Sequence, residues 1–206
     1  MTSNRSTILY GILAGALALL WLAMFLLGTG DEDLAVLGVL YAGHRPLLAE
    51  AARVLTLLGG WYFVTPIAGI VGLVVGLRGR PWLGLVLFAG TMIGRLLVEF
   101  QKYELGRLRP DENPHLVNVY NLSFPSGHSA NAMMLYVTLA LTLVEDPRRR
   151  AFWLAAALAL AFVIGLSRVM LGVHWPSDVI AGWSFGLLWS MLLVWASRHP
   201  PAGVRR

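Results

Sequence analysis

The feature that most restricts this chain is its set of apolar runs of bilayer length. Ile8 to Leu27 is apolar throughout, and a bilayer core about 30 Å thick takes roughly 20 such residues as a helix. Only 13% of the 206 residues are charged and 57% are hydrophobic, against about 25% charged in soluble domains. The chain therefore reads as an integral membrane protein. No polar segment is long enough to fold separately, so residues 1–206 read as a single domain. A cleaved signal peptide would have an apolar region of about 7–15 residues and a small-residue cleavage site. The first run is too long, Gly28-Thr29-Gly30-Asp31 is a poor site, and a retained first span is expected.

The expected fold is all-α, with six transmembrane helices plus a short amphipathic surface helix between spans one and two. Spans two to six are expected at Trp61–Leu77, Trp82 to about Phe100, about Pro125–Val144, Ala151–Leu166 and Pro176 to about Ala196. Pro46 to Leu58 places apolar residues at 47, 48, 51, 54, 55 and 58 with Glu50 and Arg53 opposite. That is an amphipathic helix opened by proline, lying flat on the membrane or capping the bundle. Arg95 and Glu99 stand four apart in span three, on one helical face, and read as a structural ion pair facing the interior. Trp61, Trp82 and Trp153 fall at span ends, where interfacial anchors belong.

Six spans put both termini on one side and sort the cations. Arg5, Arg78, Arg80, Arg148, Arg149, Arg150, Arg198, Arg205 and Arg206 share one face. Arg45, Arg53, Lys102, Arg107, Arg109 and Arg168 share the other, with eight acids beside them. Short positive loops stay in the cytoplasm, so both termini are expected there and the opposite face points to the periplasm or exterior. The predicted setting is a bacterial cytoplasmic membrane. The net charge of +5 does not suggest nucleic acid, because the arginines cluster in short turns. The absence of cysteine excludes disulfides, thiolate metal sites and cysteine nucleophiles.

Ionisable residues next to hydrocarbon mark function by default, and Ser167 to Asp178 crowds Arg168, His174 and Asp178 together. Pro176 suits the first position of a helix, which puts Asp178 in a first turn that favours an anion. Asp178 either caps that helix or accepts one ring proton of His174 and leaves the other nitrogen bare. The span alternation brings Lys102, the Pro125–His128 stretch, Arg168, His174 and Asp178 to one membrane face. Lys102, Arg109 and Arg168 are cations suited to phosphate oxygens. Phe124-Pro125-Ser126-Gly127-His128 opens a helix whose first N–H groups lack internal partners, a ready anion site. Gly127 permits close backbone approach, and Ser126 is expected to add a hydroxyl donor. The chemistry that fits is attack of His174 on phosphorus, with His128 protonating the leaving oxygen and then activating water. The cations make a metal unnecessary, and no cofactor is expected.

Lys102-x6-Arg109-Pro110, Pro125-Ser126-Gly127-His128 and Ser167-Arg168-x5-His174-x3-Asp178 look like the three signature motifs of the type 2 phosphatidic acid phosphatase superfamily. The motifs cover residues 102 to 178, and the six-span plan extends the resemblance to the whole chain. It implies a metal-independent, phosphohistidine-forming lipid phosphatase with a six-helix core. By the same resemblance His174 is the nucleophile, Asp178 its partner and His128 the acid/base. Lys102, Arg109, Arg168, Ser126 and the Gly127 backbone hold the phosphate. The apolar runs set the chain apart from the soluble vanadium haloperoxidases that share this pocket.

The implied partner is a lipid phosphate entering sideways from the bilayer. Undecaprenyl diphosphate, phosphatidylglycerophosphate and phosphatidic acid are the candidates, with a lean to the first. Two rival readings use the same residues: a phosphotransferase that passes the group from His174 to another acceptor, and a non-enzymatic lipid transporter or scaffold. Nothing in the sequence argues for a particular oligomeric state.

Overall fold

A computed structural model describes residues 2–203 as a helical bundle. Arg205, Arg206 and the side chain of Arg5 lie outside the described part. Its helices are α1 (Thr2–Leu27), α2 (Asp31–Leu40), α3 (Pro46–Leu57), α4 (Trp61–Leu77), α5 (Pro81–Leu105), α6 (Gly127–Leu143), α7 (Pro147–Met170) and α8 (Pro176–Arg198). Among the described residues five stretches are long and apolar enough to cross a bilayer: Thr7–Leu27, Pro46–Leu77, Pro81–Leu105, Pro147–Met170 and Pro176–Arg198. The second of these joins α3 to α4 across the turn at 58–60. The outer surface agrees with such a setting, because Leu9, Ile12, Leu19 and Leu27 of α1 are exposed apolar side chains, which water would not favour in such number.

The central helix is α6. Ala130, Ala132, Met134, Leu135 and Val137 are buried on several of its sides, and the polar Ser129, Asn131 and Thr138 are buried with them, as expected of a helix enclosed by its neighbours. It packs against α8, α7 and α5, while α1 packs on α8 and α4 on α5. The α6–α8 approach depends on small residues. A Cβ on Gly182 would lie 2.5 Å from the Ser126 carbonyl oxygen, and one on Gly186 2.7 Å from that of Ala130. Close backbone contact through such a small-x3-small pair is a membrane-helix device. Indole N–H groups bind neighbouring helices to one another: Trp82 donates to Ala196 O, Trp183 to Ala161 O and Trp189 to Gly90 O, at 2.8, 3.0 and 2.8 Å.

Several boundaries differ from the sequence expectation. α5 runs on through Lys102 and stops at Gly106, whose φ of 66° supplies the left-handed cap; Lys102 is thus in the last helical turn, not in the loop. α7 opens at Pro147 instead of Ala151, because Asp146 accepts the Arg149 N–H at 2.8 Å, an ordinary side-chain N-cap. α2 was not expected. Its Asp33 is buried and accepts from the Thr29 and Ser177 N–H groups (2.8 and 2.9 Å) and from the Ser177 hydroxyl. The Arg95–Glu99 ion pair does not form. The ion pairs among the described residues are Arg53–Glu50, Arg107–Asp178 and His174–Asp178, and Glu99 instead accepts from the Asn121 amide at 3.1 Å.

The α5–α6 loop is tied to the ends of several helices. Tyr41 donates to Pro114 O (2.8 Å), Arg53 to Leu116 O (3.2 Å), Leu116 N–H to Leu171 O (3.0 Å) and the Trp175 indole to Leu108 O (3.0 Å). These bonds fold the loop back over the start of α8.

Candidate active site

Pro176 is at the start of α8, and Asp178 lies in its first turn. The carboxylate is fully buried and gathers four donors. Oδ2 accepts from the Ser123 hydroxyl at 2.5 Å and the Trp175 N–H at 3.0 Å, and lies 3.3 Å from His174 Nδ1. Oδ1 accepts from Arg107 at 3.0 Å. A buried carboxylate must be paired in this way to remain charged. Ser123 Oγ also stands 3.2 Å from His174 Nδ1.

The other ring nitrogen of His174, Nε2, faces Arg109 Nη1 at 3.1 Å. A guanidinium can only donate, so Nε2 is the acceptor and the ring proton sits on Nδ1, toward Asp178 and Ser123. Burial first, and then Arg109, Lys102, Arg168 and His128, hold the His174 ring well below its ordinary pKa; the imidazole is neutral at neutral pH, and its Nε2 lone pair accepts from Arg109. Burial lowers Arg109 to about 10, with Asp178 and Glu99 opposing, so it stays cationic there.

This nitrogen opens on a cavity of about 470 Å³ lined by Lys102, Arg109, Gly127, His128, Arg168 and His174, together with Arg53, Thr56, Trp61, Tyr62, Arg95, Glu99, Asn131 and loop residues 117–121. The cations are fixed from behind. Lys102 Nζ donates to the carbonyls of Leu122 and Ser123 (2.8 and 3.1 Å), and Arg168 Nη1 to the Thr56 hydroxyl (2.8 Å). Arg109 is held by Asn121 O, Asn121 Oδ1 and Val173 O at 2.8, 2.7 and 2.5 Å. His128 lies in the first turn of α6 and makes no ring hydrogen bond among the described residues. A site with clustered cations, an unprotonated imidazole nitrogen and a second, unengaged imidazole can bind a phosphoryl group and move protons around it.

Two expected residues stand behind the cavity wall. Asp178 reaches it only through His174. Ser126, expected to offer its hydroxyl to the phosphate, is fully buried. Its Oγ accepts from Ser129 at 2.9 Å and its N–H donates to Asp178 O at 2.9 Å, so it ties α6 to α8 and leaves the neighbouring Gly127 at the surface of the cavity. Two residues escaped sequence reasoning. Ser123 precedes the Pro-Ser-Gly-His stretch and carried no signal. Arg107 was counted only as a face charge, yet its guanidinium donates to Asp178 Oδ1, Ser177 Oγ, Met24 O and Phe25 O (3.0, 3.0, 2.9 and 2.6 Å) and lies 4.3 Å from the Phe124 ring centroid.

A sequence profile described as the PAP2 superfamily matches residues 82–200. The chain is 35% identical over 165 residues to phosphatidylglycerophosphatase B of Bacillus subtilis, covering 78% of this chain and 79% of that one. It is 38% identical over 120 residues to a lipid A 1-phosphatase of Rhizobium etli, covering 54% of this chain and 49% of the relative. The crystal structure of a transmembrane PAP2 type phosphatidylglycerolphosphate phosphatase from Bacillus subtilis superposes with a TM-score of 0.80 at 32% identity, covering 87% of this chain and 93% of that one.

Proposed function

The chain belongs to the PAP2 superfamily and is a membrane lipid phosphatase, and we propose that it hydrolyses a lipid phosphate or diphosphate through a phosphohistidine on His174. The observation that carries this reading is the polarity of that ring: its proton lies toward Asp178, and its unprotonated Nε2 accepts from Arg109 beside a cavity that Lys102 and Arg168 also line. Nε2 attacks phosphorus, the phosphorus–oxygen bond to the lipid breaks, and the leaving oxygen takes a proton from His128. Water then attacks the phosphohistidine and gives its proton to His128, and inorganic phosphate leaves. Asp178 stabilises the imidazolium character that develops on His174. The cations and the Gly127 N–H, at the start of α6, neutralise the equatorial oxygens. Ser126 supports that turn from behind.

The same reading extends to the membrane. We take α1, α4, α5, α6, α7 and α8 as six spans; α6, at 17 residues, sits at the lower limit of spanning length. α3 lies along α7 beside the cavity, with Leu47, Glu50 and Val54 exposed on its outer side, as an interfacial helix. The cation bias puts both termini in the cytoplasm and the cavity on the outer side of the cytoplasmic membrane. A lipid phosphate reaches the cavity from the bilayer.

The test is phosphate release by purified protein from undecaprenyl diphosphate, phosphatidylglycerophosphate and phosphatidic acid in detergent micelles. Turnover of at least one is expected, with His174→Ala reducing it to background while lipid binding survives. Full turnover by His174→Ala would end the nucleophile assignment. EDTA should leave the rate unchanged.

A further inference from the structure

Two cations that line the cavity, Arg53 and Arg95, have no place in this mechanism, and Arg53 is already paired with Glu50. Arg95 lies within α5, and the guanidinium sits 5.5 Å from the centroid of the Trp61 ring. Among the described residues it makes no hydrogen bond or ion pair, and its Nε is buried without a partner. The carboxylate best spaced to pair with it, Glu99, is turned to Asn121. An ionisable group inside a spanning helix normally pairs with another group or marks a ligand's path. Arg95 does not pair, and it lines the cavity.

It is not alone in this. Of the five buried side-chain N or O atoms left without a partner among the described residues, three belong to cavity-lining residues: Arg95 Nε, Arg168 Nε and Asn131 Oδ1. Unpaired buried polar atoms call for an explanation, and here two are donors of cations and one is an acceptor. A ligand satisfying all three carries anionic oxygens at two places and a donor hydroxyl between or beside them.

The spacing narrows the ligand further. Arg95 precedes Lys102 by seven residues on the same helix, nearly two full turns, so the two share a face and stand about 10 Å apart along the axis. A diphosphate brings a second anion but no hydroxyl for the unpartnered Asn131 Oδ1, and a lipid monophosphate brings neither.

We propose that Arg95 forms a second anion subsite of the cavity, selecting lipids in which the scissile phosphate is separated by a short hydroxylated spacer from a second, internal phosphate. Asn131 Oδ1 accepts the spacer's hydroxyl. This inference rests on the phosphatase reading for what happens at His174, and concerns which lipid is brought there.

The experiment compares kcat/KM on phosphatidylglycerophosphate (two phosphates across a glycerol), undecaprenyl diphosphate (adjacent phosphates) and phosphatidic acid (one phosphate). In Arg95→Gln the ratio of the first to the third should fall about ten- to hundred-fold, the range given by loss of one charge-assisted hydrogen bond. The fall should be carried by KM. Arg95→Lys should recover part of it, and the ratio of the second to the third should fall less, since the diphosphate lacks the hydroxyl that holds the first lipid in place. Equal losses on all three lipids, or no change in ratio, would overturn the subsite; a loss confined to the diphosphate would overturn the hydroxylated spacer. The same three lipids are titrated against His174→Ala with and without Arg95→Gln. If the parent protein turns over none of them, the phosphatase reading fails. A binding loss in Arg95→Gln selective for phosphatidylglycerophosphate still upholds the subsite, and its absence refutes it.

Discussion

Arg107→Met tests how much of the fold rests on the ion pair to the buried Asp178 carboxylate. The side chain is 8% exposed and its partner Asp178 is fully buried. Removing one member of a buried ion pair costs about 3–5 kcal/mol, because the other is left charged and unpaired. Arg107 also serves Ser177 Oγ and the Met24 and Phe25 carbonyls, so the upper part of that range applies. For a chain of this size each kcal/mol shifts Tm by about 2–4 °C, which gives a loss of roughly 10–20 °C. The assay is thermal denaturation of purified protein in detergent, with phosphate release measured on the same samples. Arg107→Lys keeps one charge but cannot reach Asp178 and the α1 carbonyls together, so its loss should be intermediate. Adding Asp178→Asn to Arg107→Met should cost far less than the two single changes summed, since the stranded charge is then absent. A Tm for Arg107→Met within 2 °C of the parent, or strict additivity in the double variant, would show that the pair carries little of the stability assigned to it.

Other outcomes follow from the same geometry. Because burial and the nearby cations hold His174 well below its ordinary pKa, the ring stays neutral on mild acidification, and the acid limb of kcat/KM should lie below pH 6.5. Arg109→Ala removes one of those cations, so the limb should move to higher pH even as the rate falls; an unmoved limb would assign it to another group. Gly182→Ala drives a Cβ against the Ser126 carbonyl and should cost about 1–3 kcal/mol by overpacking, seen as a lower Tm. Gly15→Ala, with nothing within 4 Å, should be neutral in the same measurement.

What the sequence made legible was the part written locally. The apolar runs placed the long helices, and the three motifs named residues whose side chains line or back one cavity, because helix alternation alone carries chain segments 76 residues apart to the same end of the bundle. What it hid was written across distance. Arg107 meets Asp178 over 71 residues and Ser123 meets it over 55, and no periodicity announces either contact. Arg95 and Glu99 had the spacing of an ion pair, but an aromatic ring and a loop amide compete for them. The start of α7 was expected at Ala151, although Asp146-Pro147, a capping residue followed by proline, carried the signal for the earlier start. Ser126 carried a tertiary contact its type did not announce: its N–H joins α6 to α8 through the Asp178 carbonyl.

Arg109 offers its Nη1 to the very nitrogen that would attack phosphorus. That hydrogen can serve the ring or a phosphoryl oxygen, but not both at once. An arriving anion would therefore draw the guanidinium onto itself and, in the same motion, unmask the nucleophile. On the proposed mechanism, the Nε2 lone pair is freed for attack only as a phosphoryl oxygen takes over the Arg109 hydrogen.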